Sequence, residues 1–131
     1  MKVIITSGKR KRAIARATAY PGTGKVRINN NLLEHLTPAL SQLKIMEPLM
    51  LAKDVASKLN IDVNVTGGGY NSQAEAVRLA IARALVENNS KLKETFLEYD
   101  RQLLVADVRR KETHKPNSHG RARAKTQKSY R

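Results

Sequence analysis

The stretch that decides the fold is IDVNVTGGGYNSQ, residues 61–73. Apolar and polar residues alternate over residues 61–66, and this period of two predicts a half-buried strand. Residues 74–85 are rich in strong helix formers and carry an apolar stripe at helical spacing, so they predict a helix. Ser72 and Glu75 have the spacing of a capping box, which places the expected helix start at Ser72. The stretch therefore predicts a strand, a glycine turn and a capped helix.

The three glycines between this strand and helix support two interpretations. Gly67, Gly68 and Gly69 let the backbone take a positive φ and let another chain approach closely. The helix N-terminus beside them offers free N–H groups that suit a phosphate. The alternative is a tight turn without a ligand, because such turns are common. The block is neither a P-loop nor a dinucleotide fingerprint, since no Gly-Lys-Ser/Thr follows and Ser72 stands where the third glycine of the fingerprint belongs.

The charge of the chain is concentrated at its two ends. The 131 residues carry a formal net charge of +14. Residues 1–33 contain eight Lys/Arg and no acid, residues 109–131 contain nine Lys/Arg and one acid, and residues 34–108 contain eight basic and ten acidic residues. A balanced core with two basic ends is typical of a nucleic-acid-binding protein. A membrane surface is the rival polyanion, but neither end has the apolar periodicity of a membrane-binding helix.

The other elements follow from periodicity and breakers. In chain order we predict a strand at 3–7, a hairpin over 13–29, a short helix at 31–36, one or two helices over 39–59 broken near Pro48, a helix at 90–99, and a last strand or turn at 103–106. This order predicts an α+β fold with helices packed on a mostly antiparallel sheet. Residues 109–131 contain no Ile, Leu, Val, Phe or Met. We therefore expect a globular core over 1–108, with a basic N-terminal hairpin region, and an extended basic tail over 109–131 that is disordered when free.

The sequence carries no recognisable catalytic or metal-binding motif. The histidines His35, His114 and His119 have no set of partner ligands, and the absence of cysteine excludes disulfides and thiolate metal sites. The helix acids Glu75 and Glu87 are expected to pair with Arg78 and Arg83 along the helix rather than to form a catalytic dyad. No stretch approaches a membrane span or a signal peptide. We expect a soluble, intracellular protein without metal, cofactor or enzymatic activity.

Four motifs together resemble a known family. The glycines at 67–69, followed by Gln73, Ala76, Arg78, Ile81 and RAL at 83–85, look like the signature of the S-nine family of small-subunit ribosomal proteins. The segments GTGKVRIN at 22–29, YDRQLLVAD at 99–107 and RARAKTQKSYR at 121–131 also match that family. The final Ser-Tyr-Arg and the EPL at 47–49 resemble its archaeal/eukaryotic branch. The resemblance covers nearly the whole chain, in order.

The resemblance implies a fold, partners and site residues. It implies a core like the second domain of ribosomal protein S-five, docked on rRNA and beside other ribosomal proteins in the head of the small subunit. It also implies a structural role in the cytoplasmic ribosome, a tail that reaches P-site tRNA, and no homo-oligomer. The residues assigned to rRNA are Lys9, Arg10, Lys11, Arg12, Arg16, Lys25, Arg27, Gly67, Gly68, Gly69, Arg109, Arg110, Lys111, Lys115, Arg121, Arg123 and Lys125. Those assigned to tRNA are Lys128, Ser129, Tyr130 and Arg131.

Two other functions stay open from the residues alone. The fold class also hosts small-molecule kinases, so the glycine turn could serve a nucleotide-binding enzyme, although the nucleotide motif is missing. A free, non-specific nucleic-acid-binding protein would show the same charged ends, although no groove-reading helix is evident. Binding of ATP would indicate the first, and failure to sediment with small subunits would indicate the second.

Overall fold

The computed structural model describes residues 3–36, 39–110 and 112–116. The strands are β1 (Ile4–Arg10), β2 (Ala13–Pro21), β3 (Val26–Ile28), β4 (Asn31–Leu32) and β5 (Leu59–Thr66). The helices are α1 (Ala39–Leu51), α2 (Lys53–Ala56), α3 (Tyr70–Asn88) and α4 (Leu92–Tyr99), with short 3₁₀ helices at Leu33–His35 and Arg101–Leu103. The predicted α+β class is confirmed. Within these ranges, every helix is too short or too polar to cross a membrane.

The five strands form one mixed sheet in the order β1-β2-β5-β3-β4. The pairs β1–β2, β2–β5 and β3–β4 are antiparallel, whereas β3 and β5 run parallel. The prediction of a mostly antiparallel sheet is therefore corrected to a mixed sheet. The cause lies in α1 and α2, because a helical crossover between two strands returns the chain in the same direction.

The predicted hairpin over residues 13–29 is wrong, because β5 lies between β2 and β3. The turn that joins them passes over the first residues of β5 instead of closing a strand pair. Asn60 of β5 holds this turn in place: its Oδ1 accepts hydrogen bonds from the backbone N–H groups of Thr23 (3.0 Å) and Lys25 (3.1 Å). The Gly22 N–H donates to the Lys58 carbonyl at 3.0 Å. The local pattern of two strands and a turn was correct, but the neighbour came from a distant segment.

Other predicted boundaries also change. The segment predicted as a short helix at 31–36 is β4 followed by a 3₁₀ turn. Pro48 lies inside α1 and is buried, and the break falls at Ala52. The apolar segment predicted as a last strand or turn at 103–106 begins with Leu103, the last residue of a 3₁₀ helix, which is buried in the core, and it continues as a turn. Helix α3 begins at Tyr70 rather than Ser72, and its N-cap residue makes no side-chain capping bond.

Small residues allow helix α3 to pack closely on the sheet. Every second residue of β2, from Ala13 to Ala19, is a fully buried alanine, and α3 buries five more alanines. Gly8 of β1 is also buried there. Helix α3 contacts β1 and β2, while α1 packs beside α3. The helices thus cover one face of the sheet, and the outward residues of the strands leave the other face to solvent.

Candidate nucleic-acid interface

Three segments that are far apart in sequence meet at one end of the sheet. They are the β1–β2 turn, the glycine turn after β5, and the first residues beyond the core. They enclose an open cleft of about 850 Å³, which is lined by Lys11, Arg12, Gly68, Gly69, Ser72, Arg109 and Arg110. The sheet register explains the meeting, because Ile14 of β2 pairs with Thr66 of β5 and brings the two turns side by side. We call this site the turn cleft.

The glycines of the turn have different environments. Gly67 has a φ of +78°, and a Cβ built on it would lie 2.5 Å from the Arg12 carbonyl oxygen. A Cβ on Gly68 would lie 3.2 Å from the Ala13 nitrogen. Gly69, by contrast, has no heavy atom within 4 Å of such a Cβ. The chain itself therefore requires glycine at the first position of the turn, while Gly69 borders open space at the turn cleft.

Arg10 is engaged within the protein. Its Nε lies 2.6 Å from Glu75 of α3, its Nη1 contacts Asp107, and its side chain is only 13% exposed. Glu75 also lies 3.6 Å from the Lys44 ammonium group. These pairs fasten the end of β1 to α3 and to the segment that leads out of the core. An RNA contact by Arg10 stays a prediction.

Asp107 fixes the direction in which the chain leaves the core. The Arg109 backbone N–H donates to its Oδ1 at 2.8 Å, and the Arg109 guanidinium donates to both carboxylate oxygens, at 2.7 Å from Nη2 to Oδ2. These hydrogen bonds, together with the charge of Arg10, hold the pKa of Asp107 well below its usual range. The ionised carboxylate in turn raises the pKa of Arg109. Arg109 and Arg110 are thereby held beside the glycine turn.

The uncovered face of the sheet carries a second set of cations. Lys9, Arg16 and Arg27 are exposed, whereas their strand neighbours point toward the helices and are buried or, at Arg10, half-buried. Lys25 is exposed just before β3. In the strand register, Asp62 lies next to Arg27 and accepts a 3.2 Å hydrogen bond from the Tyr20 hydroxyl. We call this the open face.

Two arginines of the family signature act inside the fold. Arg78 of α3 bridges Glu47 of α1, at 2.5 Å, and Asp100 after α4, at 3.0 Å. Arg83 donates to the backbone carbonyls of Ser7, at 2.9 Å, and Leu104, at 3.4 Å. The predicted pairing of Glu75 and Glu87 with these arginines is therefore wrong. Helical spacing identified neighbours on α3, but the partners come from elements that pack against it.

The remaining predicted site residues divide into two groups. Lys115 is exposed within the described segment 112–116, which contains neither helix nor strand. The predicted rRNA residues Lys111, Arg121, Arg123 and Lys125, and the predicted tRNA residues Lys128, Ser129, Tyr130 and Arg131, lie outside the described residues.

Sequence reasoning missed one exposed aromatic side chain at this end of the molecule. Tyr70 is 67% exposed and follows Gly69 directly, at the start of α3. The sequence feature that could have identified Tyr70 is the position of an aromatic residue between a glycine turn and a helix.

The fold and the site together define a class of protein. This small α+β domain gathers cations from two segments around the glycine turn and carries more cations on its open face. Such a surface is typical of the basic proteins that bind a polyanion. Residues 8–131 match the family described as Ribosomal protein S9/S16, and the chain belongs to that family.

Relatives match the chain over its whole length. The small ribosomal subunit protein uS9 of Methanococcus maripaludis (strain C7) is 52% identical over 134 residues, covering 100% of both chains. Proteins of the same name from Methanococcus vannielii and Methanothrix thermoacetophila are 51% and 53% identical, also over 100% of each chain. The predicted S-nine resemblance is confirmed. Because the family consists of ribosomal proteins, the chain has a structural role in the cytoplasmic ribosome, and the hypothesis of a nucleotide-binding enzyme is wrong.

Proposed function

We propose that this chain binds rRNA in the head of the small ribosomal subunit through the turn cleft and the open face. One observation carries the proposal: cations from the β1–β2 turn and from residues 109–110 converge around the glycine turn. Such a cluster would be costly for an isolated protein, because like charges repel. Phosphate groups of a folded RNA remove that cost. The name of the relatives, small ribosomal subunit protein uS9, supports the choice of subunit.

The proposed mechanism is electrostatic. Folding of rRNA brings phosphates together, and cations placed between them lower their repulsion. Most contacts would go to phosphate oxygens and fix the position of the protein without reading base sequence. The core, over residues 1–108 and of the S-five second-domain type, would hold these cations in a fixed arrangement.

Residues 109–131 are proposed to act as an extended basic tail. They contain nine Lys/Arg and one acid, and they begin at the anchor formed by Asp107 and Arg109, beside the turn cleft. The tail would therefore start at the rRNA-binding end of the core. At its other end, Lys128, Ser129, Tyr130 and Arg131 are proposed to reach P-site tRNA, as the family resemblance implies.

The turn cleft is tested by a charge-matched pair of double variants. Lys11→Ala with Arg12→Ala removes two cations at the cleft. Lys91→Ala with Lys93→Ala removes two exposed cations beyond the far end of α3, whose 19 residues span about 28 Å. Affinity for an rRNA head-domain transcript is measured over a range of salt concentrations. The cleft variant should bind more weakly and lower the slope of log K against log[salt] by about 0.7–0.9 for each phosphate that is no longer neutralised. Equal slopes for the two variants would contradict the assignment.

The tail is tested by deletion of residues 109–131. The truncated protein should bind the same transcript more weakly and with a smaller salt slope, because up to nine cations are removed. Circular dichroism of the truncated protein provides the control for folding of the core. An unchanged slope in a folded protein would refute the role of the tail.

The tRNA contact is tested by removing only residues 128–131. Subunits assembled with this variant should form normally but retain P-site tRNA less well. Filter binding of tRNA measures the second property, and sucrose-gradient sedimentation measures the first. Failed assembly with normal tRNA binding in the subunits that do form would overturn the tRNA assignment.

A further inference from the structure

A small pocket lies on the other side of the first turn of α3 from the turn cleft. It has a volume of about 120 Å³, and its lining includes the apolar side chains of Ile28, Ile45, Val65 and Val77. Gly69 and Ser72 face the turn cleft, whereas Tyr70 and Gln73 line the pocket. The first turn of α3 is therefore the wall between the two sites.

Amide groups add polar character to the apolar pocket. The Asn29 amide holds Val65: its Oδ1 accepts from the Val65 N–H at 2.9 Å, and its Nδ2 donates to the Val65 carbonyl at 3.2 Å. Gln73 Nε2 donates to the Gly67 carbonyl at 3.1 Å. The amide oxygen of Gln73 and the side-chain amide of Asn31 take no hydrogen bond from the described residues. Both groups are therefore available to hydrogen-bond with a planar ligand that carries donors and acceptors on its edge.

Tyr70 is the aromatic side chain that lines this pocket. Its ring is 67% exposed and takes no part in the core. Within the described residues, Tyr20 is bound to Asp62, and Tyr99 lies on α4. Exposed aromatic rings beside cationic clefts are the usual platforms for unpaired bases.

We propose that this pocket binds one unpaired base of the RNA, stacked on Tyr70, with phosphates of the same strand in the turn cleft. The base edge would meet the amides of Asn31 and Gln73, and the apolar lining would contact its ring. This inference rests on the proposed rRNA binding, to which it adds a site for a base beside the contacts with phosphates. The ligand is thus a single strand of RNA that contacts both sides of the first turn of α3, with one base in the pocket and phosphates in the turn cleft.

The test compares four variants of the full-length chain for affinity toward the rRNA head-domain transcript: the Lys11/Arg12 double variant and three tyrosine variants. Tyr70→Ala should weaken binding by about 5- to 150-fold, the range for removal of one stacked base. It should leave the salt slope unchanged, because every phosphate contact is kept. Tyr70→Phe keeps the ring and should bind within about twofold of the parent. Tyr99→Ala removes another exposed tyrosine, 55% exposed on α4, and should bind like the parent.

The outcomes separate this inference from the proposed function. If Tyr70→Ala binds like the parent while the Lys11/Arg12 double variant binds weakly, the base site is refuted and the rRNA-binding cleft stands. If neither variant weakens binding, the proposed function fails as well. If Tyr70→Phe loses as much affinity as Tyr70→Ala, the hydroxyl and not the ring makes the contact, which overturns stacking. Thermal unfolding of each variant shows whether the fold is intact, as expected for an exposed side chain.

Discussion

Substitution of Gly67 by alanine should destabilise the core, because two independent costs meet at this position. The φ of +78° lies in the left-handed region, which costs an alanine about 1–2 kcal/mol. The new Cβ would also lie 2.5 Å from the Arg12 carbonyl oxygen, a backbone atom held by the β1–β2 turn. Relieving such an overlap costs about 1–3 kcal/mol of stability. The reduced conformational freedom of the unfolded chain offsets about 0.4–1 kcal/mol of this loss. We expect a net loss of about 2–4 kcal/mol.

The assay is chemical denaturation of the Gly67→Ala protein beside a Gly69→Ala control. Gly69 has a φ of −99° and open space around it. Its substitution should change the free energy of unfolding by no more than about 0.5 kcal/mol, because the weaker N-cap and the stiffer unfolded chain offset each other. Thermal unfolding should place the Gly67→Ala midpoint at least about 8 °C below that of the parent. Equal stability of the two variants would refute the structural account of the turn.

Three further substitutions test the contacts that hold the candidate site. Asp107→Asn should lower the unfolding temperature at pH 7. Folding lowers the pKa of Asp107, so the ionised carboxylate stabilises the fold fully above its ordinary pKa of about 3.9 and progressively less as the pH falls. The difference in unfolding temperature between the parent and the variant should therefore shrink below about pH 4. A difference that is independent of pH would contradict this. Arg78→Ala should cost about 1–3 kcal/mol in urea denaturation by breaking the bridge between Glu47 and Asp100, and Arg78→Lys should recover part of that loss. Full recovery by lysine would show that the two-partner geometry is unimportant. Phe96→Ala should cost about 3–5 kcal/mol, because this fully buried ring anchors α4 in the core, whereas Leu97→Ala, 39% exposed, should cost far less; similar costs would indicate that α4 packs differently.

Much of the candidate site was visible in the sequence because charge is a local property. The runs at residues 9–12 and 109–111 needed only counting to suggest a polyanion. The glycine turn after β5 was evident from the residues themselves, since a period of two gives way there to a helical period. Their meeting in one cleft was not visible, because it depends on the register of β2 against β5 and on the hydrogen bonds of Asp107.

Tertiary contacts, which the sequence does not show, separate Arg10 from its neighbours in the basic run. Four adjacent cations look equivalent in sequence, yet the end of β1 turns Arg10 toward Glu75 and Asp107 and leaves Lys9 exposed. The pleat alternates side chains between the two faces of the sheet. Which face is covered depends on where α3 packs, and that is a tertiary contact.

The sequence by itself determined the α+β class, the balanced core with two basic ends, and the family. These properties depend on composition, periodicity and short motifs, which each segment carries alone. The tertiary structure decided that β5 lies between β2 and β3 and that the sheet is mixed. Strand order depends on contacts between segments more than thirty residues apart, such as the hydrogen bonds that Asn60 Oδ1 accepts from the backbone of Thr23 and Lys25 before β3. Local preference cannot encode such pairings, because they form only when the helices cross over and the core closes.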